Sequence, residues 1–194
     1  ISEKTKLTSN STLINMMKSL KKKTNKNEVK KIIEKNISSI INNNISIQVN
    51  DIEIKDSATK PIVIPYSIAN SSIISKIMFK YEDIRKDHII MNVIRMIDII
   101  LKRENINLNI TKYKAIPVDT TCGYIDIVKN SETLYHIKQK LNLPIQNYVA
   151  EKNDNYTIEM VKRNFMKSCI SYCLISYLLG IGDRHLDNIM ITDK

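Results

Sequence analysis

The sequence predicts an α+β protein with a small antiparallel-sheet lobe followed by a helical lobe. Three observations predict it. Short β-branched runs cluster between Ile45 and Val128, amphipathic helical stretches precede and interrupt them, and a long apolar helix near the end runs straight into the polar loop "GIGDRHLDNIM", Gly180 to Met190. The order of helices, several strands, one helix, two strands and further helices is an α+β order, not the regular alternation of a parallel sheet. With 194 residues, 43% hydrophobic and 26% charged, the chain can bury one core or fill two small lobes and does not read as disordered.

The elements follow in order. Ser9 to Leu20 and Asn27 to Ile41 read as helices, the second with Asn27 as N-cap and with Val29, Ile32, Ile33, Ile37, Ile40 and Ile41 at helical spacing. Asn42 to Asn44 break the pattern. Ile45 to Val49, Ile52 to Ile54, Ile62 to Tyr66 and Ile73 to Lys80 read as strands separated by polar turns. Pro61 and Pro65 bracket the third run and assign it to a sheet edge. A helix from His88 to Glu104 presents Ile90, Val93, Ile94, Ile97, Ile100 and Leu101 on one face. Two strands follow, Thr111 to Val118 and Gly123 to Val128, then a short helix from Ser131. The last helix, Thr157 to Leu179, is apolar nearly all round in its second half, which predicts deep burial. Ile189 to Ile191 could begin a strand. The organisation is a basic helical segment over 1–44, a small lobe over 45–128 and the start of a larger lobe over 129–194, with the joint at Val128 to Ser131.

Several classes fall away. The polar start "ISEKTKLTSNST" has no signal-peptide core, and the longest apolar run, Cys169 to Ile181, is too short for a membrane span. The first residue is Ile, so a fragment or processed product is expected. Cys122, Cys169 and Cys173 are odd in number and lack paired spacing, which speaks against a disulfide framework and fits a reducing compartment. Cys169 and Cys173 lie one helical turn apart without further zinc ligands and are expected as small buried apolar groups. The net charge of +10 includes the cluster Lys18, Lys21, Lys22, Lys23, Lys26, Lys30, Lys31 and Lys35. Such a run suits phosphates of any kind or is simply a solvated helix face. The absence of Trp and the low aromatic fraction speak against a base-stacking nucleic-acid platform, and no specific nucleic-acid partner is expected.

The chemistry sits near the end. A loop after a buried helix would project Asp183, His185, Asp187 and Asn188 into one place. Asp and Asn oxygens suit a hard cation, and His beside Asp suits proton transfer or charge stabilisation. The plain alternative is a helix C-cap in which Gly180 or Gly182 turns left-handed and the charged residues are solvated. Only 3 Gly occur in the whole chain, so two of them in this loop carry weight. Lys80, at the end of a strand and just before acidic residues, could reach nucleotide phosphates.

"GIGDRHLDNIM" resembles the catalytic loop of the phosphatidylinositol 3- and 4-kinase superfamily, which has Asp-Arg-His where ordinary protein kinases have His-Arg-Asp. The resemblance extends back through "FMKSCISYCLISYLL", "CGYIDIV", "LKRENINLNITKYKAI" and "IMFKYEDIRKD" to about Ile54, in matching order, and is nearest to the class III phosphatidylinositol 3-kinases. It implies a two-lobed kinase-like fold. It implies ATP and Mg²⁺ or Mn²⁺ as cofactors, with transfer of the γ-phosphoryl group to the inositol ring of a phosphoinositide. A phosphoinositide at a membrane surface and a regulatory subunit are the implied partners of a cytoplasmic, membrane-peripheral enzyme. Residue by residue, Lys80 would meet the ATP phosphates, and Ser57 would fall in the phosphate loop with Lys60 beside it. Asp87 and Tyr113 would line the inner pocket, and Asp126, Ile127 and Val128 would form the hinge whose backbone meets adenine. Asp183 and His185 would serve catalysis, His185 as base or transition-state stabiliser, and Asn188 would ligate metal.

The sequence also departs from that pattern. The segment after Lys80 is one residue shorter, has Glu82 and Lys86 in place of Asp and Gln, and lacks a Gly; Tyr113 lacks a preceding Pro. The family's Asp-Phe-Gly metal ligand and its substrate-selecting activation loop do not occur before Lys194, so a fragment inactive on its own, with exposed apolar helix faces, is expected. A Ser/Thr protein kinase of the same superfamily and a non-catalytic remnant are the rival readings.

Overall fold

The computed structural model describes residues 15–21, 25–40, 45–56, 59–68, 72–153 and 155–192. The chain divides into two units, one formed by residues up to Met91 with Tyr113–Ile127, the other by Asn92–Lys112 with Val128 onwards.

In the first unit the β-branched runs pair as one six-stranded antiparallel sheet. Its strands are β1 (Ile45–Ile47), β2 (Glu53–Ile54), β3 (Ile62–Ile68), β4 (Ile74–Lys80), β5 (Ala115–Pro117) and β6 (Gly123–Ile127). The order is β1-β3-β4-β6-β5, with β2 also pairing β3. A helical stretch at 15–21, α1, and helix α2 (Lys26–Ile40) supply Met16, Met17, Leu20, Val29 and Ile33 to a buried cluster with Ile52, Ile62, Ile64 and Phe79. Helical and strand periodicities therefore meet on one apolar face, which is what stabilises so small a lobe.

Two expectations are corrected here. The α2 cap is Asn25, whose Oδ1 accepts the Asn27 N–H at 2.9 Å, so Asn27 already lies inside the first turn. Strand β3 is interior, flanked by β4 on one side and by β1 and β2 on the other. Pro65 is tolerated there because its missing N–H faces the gap between β1 and β2. Its carbonyl on that same side accepts Gln48 N–H at 3.0 Å, just before the chain turns through a 3₁₀ turn at Val49–Asp51. The predicted strand Thr111 to Val118 shortens to Ala115–Pro117.

Helix α3 (Arg85–Arg103) begins in the first unit and ends in the second. Asp83 holds its start, accepting the Arg85 backbone N–H at 3.0 Å and the Arg85 guanidinium. Its buried positions are Met91, Ile94 and Asp98, whereas Ile100, expected on the buried face, is 57% exposed. The rest of the expected face does turn inward: Ile94 is buried and Ile90, Val93, Ile97 and Leu101 are half-buried.

The second unit adds strands β7 (Ser131–Thr133) and β8 (Met190–Thr192), paired antiparallel, and helices α4 (Ile145–Glu151) and α5 (Ile158–Leu178). Ser131 starts a strand, not a helix, because β8 offers it a partner; a π-helical turn at His136–Lys140 follows. Thr157 caps α5, its side chain accepting the Met160 N–H at 3.4 Å. The second half of α5 is not deeply buried. Ser171 and Ile175 are buried, but Ile170, Leu174 and Leu178 are exposed, as are Cys169 and Cys173. Helix α5 is tied to the 109–111 segment by the Tyr172 hydroxyl donating to Thr111 O at 2.7 Å and by Asn109 donating to Asn164 at 3.1 Å. The exposed apolar helix faces expected from the sequence are present. No helix among the described residues is long and apolar enough to cross a membrane.

Candidate functional site

Candidate residues fall in both units, and each group is built by its own scaffold. In the second unit, α5 ends in a Schellman cap. Gly180 is left-handed at φ 61°, Ile181 N–H bonds Ser176 O at 2.9 Å and Gly180 N–H bonds Tyr177 O at 3.3 Å. The helix thus stops within one residue, and the chain enters the loop. The second left-handed residue is Asp183 (φ 58°), not Gly182. A non-glycine residue there is strained, and Asp is among the few side chains that tolerate it.

The strain is held by hydrogen bonds. Asn188 Nδ2 donates to Asp183 O at 2.9 Å and to Asp183 Oδ2 at 3.0 Å. Asn188 N–H closes a turn on His185 O at 2.9 Å, and Arg184 Nε donates to Gly182 O at 2.7 Å. His185 Nε2 stands 3.9 Å from Asp183 Oδ1, while its Nδ1 accepts the Asp187 N–H at 3.2 Å. Because Nδ1 accepts, the neutral ring carries its proton on Nε2, on the side of Asp183. The loop is moored to the strand before it, Leu134 N–H bonding Ile189 O at 2.9 Å and Tyr135 N–H bonding Leu186 O at 3.1 Å. Asp183, His185 and Asn188 are therefore brought together, exposed, on a fixed turn. Arg184 donates through its side chain to the Gly182 carbonyl, and Asp187 donates through its backbone N–H to the His185 ring.

The donor set fits a hard cation in part. Asn188 spends its NH₂ group on Asp183, which leaves its amide oxygen as a ligand atom beside a carboxylate. Among the described residues no group of three or more His, Cys, Asp or Glu side chains converges on one point.

In the first unit Lys80 ends β4 opposite Gly123 of β6, and its ammonium pairs with Glu82. Asp87 lies in the first turn of α3. Tyr113 lies two residues before β5, and the next residue, Lys114, accepts the Asp126 N–H at 2.9 Å through its carbonyl. Asp126 and Ile127 end β6 opposite Ile77 and Lys76. Val128, which begins the second unit's share of this stretch, accepts the Ser131 hydroxyl at 2.7 Å through its carbonyl. Lys60 is exposed at the entry to β3 with φ 43°, and no described hydrogen bond or ion pair joins it to the other candidates. Ser57 lies outside the described residues.

Three features had little signal in the sequence. Gly123 is fixed by contact: a Cβ there would lie 2.4 Å from Ile84 Cδ1 and 2.7 Å from Ile116 O. His88 Nδ1 lies 2.6 Å from Ala115 O, a contact with a backbone atom that no side-chain pattern announces. Asp98, 5% exposed, is held by Lys102 Nζ at 2.9 Å and more closely by Lys112. Burial pushes the Asp98 carboxyl up, but the hydrogen bonds from Lys112 and Lys102 outweigh it and hold the group below its ordinary value.

The sequence pattern of the family described as Phosphatidylinositol 3- and 4-kinase matches residues 74–194, from β4 through the loop to the last residue. The chain is similar to phosphatidylinositol 3-kinase pik3 of Schizosaccharomyces pombe, 36% identical over 125 residues that cover 60% of this chain and 16% of that protein. It is similar to phosphatidylinositol 3-kinase VPS34 of Saccharomyces cerevisiae, 38% identical over 122 residues covering 60% of this chain and 14% of that one. Against phosphatidylinositol 4-kinase beta of Danio rerio the identity is 31% over 134 residues, covering 67% of this chain and 16% of that protein. The chain thus spans 14% to 16% of the length of these relatives.

Proposed function

The chain belongs to the phosphatidylinositol 3- and 4-kinase family, and on that premise we propose that the protein transfers the γ-phosphoryl group of ATP to the inositol ring of a phosphoinositide. The observation that carries the proposal is the Gly180–Asn188 loop, where a capped helix delivers Asp183, His185 and Asn188 onto one moored turn. In this reading residues 45–128 are a kinase small lobe and 129–194 begin the large lobe, preceded by the basic segment 1–44, of which 15–21 and 26–40 are helical. The enzyme works at the cytoplasmic surface of a membrane.

Phosphoryl transfer asks little covalent chemistry of a protein. It asks for positioning and for neutralisation of charge on the transferring group. Lys80, half-buried at its strand end and restrained by Glu82, meets the nucleotide phosphates. The hinge Asp126–Val128 meets adenine through its backbone. There the Asp126 N–H is already committed to Lys114 and the Val128 carbonyl to Ser131, which leaves the Val128 N–H as the donor. Asp87 and Tyr113 line the inner pocket.

His185 acts as a donor more readily than as a base. Its Nδ1 lone pair is engaged by Asp187 N–H, and its Nε2–H is the exposed group. Asp183 Oδ1 lies 3.9 Å from that nitrogen, on the same turn. A bound Mg²⁺ or Mn²⁺ supplies charge neutralisation on the phosphoryl oxygens. Asn188 would hold it through its amide oxygen.

The test is ATP-dependent labelling of phosphatidylinositol vesicles by the full gene product. Lys80→Ala and His185→Ala should each abolish most of the transfer while the circular-dichroism spectrum stays unchanged. Near-normal turnover in either variant would sink the residue roles. Labelling of a peptide substrate without labelling of lipid would replace the lipid-kinase reading by a protein-kinase one.

A further inference from the structure

We propose that His88 is a positioning residue of the nucleotide pocket, holding Asp87 and Tyr113 in one frame by tying the start of α3 to the outer edge of β5. The inference rests on the reading above, in which Asp87 and Tyr113 line that pocket; the tie itself rests on geometry alone.

Strand β5 is outermost in the sheet order. In an antiparallel pair, successive residues point their N–H and C=O groups to opposite sides. Lys114 O accepts from Asp126 N–H of β6 at 2.9 Å, so Lys114 faces inward across the sheet. The next carbonyl, Ala115 O, therefore faces the outer edge, where β5 has no strand partner among the described residues. Ala115 is buried, and a buried carbonyl without a partner is costly. His88 Nδ1 meets this atom at 2.6 Å. A carbonyl only accepts, so His88 carries its proton on Nδ1 and donates.

The helix side of the tie is equally fixed. His88 N–H closes the first helical turn on Ile84 O at 3.0 Å. Ile84 in turn packs on Gly123 of β6 so closely that no Cβ fits there. The first turn of α3 is thus pinned at one end to β6, through Ile84, and at the other to β5, through His88. Asp87 lies between these pins, one residue from His88. Tyr113 lies two residues before Ala115, with the intervening Lys114 held by Asp126. Every residue named belongs to the first unit. Losing the His88 donor frees the edge of β5 to shift against α3, and the Asp87–Tyr113 spacing with it.

The experiment uses the full gene product, mant-ATP with Mg²⁺, and two variants. His88→Leu keeps bulk but removes the donor; His88→Gln keeps an N–H donor. Expressed in full at the nucleotide pocket, one hydrogen bond to a buried carbonyl would be worth up to about tenfold in affinity. His88→Leu should weaken mant-ATP measurably within that bound, and His88→Gln should stay closer to the wild type. Amide exchange over 113–116 should rise in His88→Leu only. Unchanged affinity and exchange in His88→Leu overturn the proposal. Failure of the wild type to bind mant-ATP overturns the nucleotide reading, whereas the exchange result still decides the tie. Should His88→Leu not fold, imidazole ¹⁵N shifts of the wild type decide instead. An Nδ1-protonated ring supports the tie, and an Nε2-protonated one overturns it.

Discussion

Asn188 clasps Asp183 at two points, its Nδ2 lying 2.9 Å from the Asp183 carbonyl oxygen and 3.0 Å from Oδ2. The clasp holds a non-glycine residue at φ 58°, a conformation that costs of order 1–2 kcal/mol for an L-residue. Asn188→Ala removes both bonds and the amide oxygen proposed for metal. Asp183→Asn keeps the acceptors and the tolerance of a left-handed backbone but removes the charge beside His185. Amide exchange over 183–188 should therefore rise in Asn188→Ala and stay near wild type in Asp183→Asn. Lipid phosphorylation should fall in both, by about 10²-fold or more if each acts on the transition state. A protected loop in Asn188→Ala would show that the clasp is not what orders it.

The two loop glycines should behave differently. Gly180 is left-handed with open space around its Cα, so Gly180→Ala meets backbone strain but no clash. The cost should be about 1 kcal/mol, read as a lowered Tm. Gly182 has neither a positive φ nor a neighbour within 4 Å of an added Cβ. Gly182→Ala should shift stability by no more than about 0.5 kcal/mol. Equal losses in both would mean that the Schellman turn is not what Gly180 supplies.

These glycines also mark what the sequence made legible. In a chain so poor in glycine, a pair just after an apolar helix announces a stop and a turn, and the loop that follows does gather Asp183, His185 and Asn188. The strands were readable to within a residue or two at β4 and β6 because β-branched runs there end at polar turns. The inward side of α3 was readable at Ile90, Val93, Ile94, Ile97 and Leu101 but not at Ile100, and nothing in the apolar spacing announced the buried Asp98 with its partner Lys112 fourteen residues away. The interior place of β3 was hidden for a related reason. Pro65 reads as an edge residue until one sees that its missing N–H falls in the gap between two partner strands. His88 was invisible because its partner is a main-chain carbonyl.

Asp98 makes stability depend on pH in a defined direction. Its carboxyl is lowered in the folded protein by Lys112 and Lys102 against the opposing effect of burial. A lowered folded pKa contributes stability that is fully present above the unfolded value, about 3.9, and is lost as pH falls through the folded one. Asp98→Asn removes that contribution. Its urea midpoint should lie below wild type at pH 7, and the two should converge as pH falls below about 4. At neutral pH the loss should be about 1–3 kcal/mol, the scale of hydrogen bonds to a charged group. It should not reach the larger cost of a stranded buried charge, because Lys102 and Lys112 can both regain water. A constant difference at all pH values would mean that Asp98 acts through shape alone.

Gly123→Ala tests the packing that sets α3 on the sheet. The added Cβ would lie 2.4 Å from Ile84 Cδ1, 2.5 Å from Ile84 Cγ1 and 2.7 Å from Ile116 O. Overpacking of this kind costs about 1–3 kcal/mol, and the variant should melt earlier by a corresponding amount. The first two contacts are with a side chain, so Ile84→Ala should relieve them in the double variant. The third is with backbone of β5 and cannot be relieved that way. The double variant should therefore recover only part of what Gly123→Ala loses, beyond the cavity cost that Ile84→Ala carries alone. A double-mutant cycle with no coupling would place the strain entirely on Ile116 O. Complete recovery would place it entirely on Ile84, and β5 would then be free to yield at the very edge where His88 holds it.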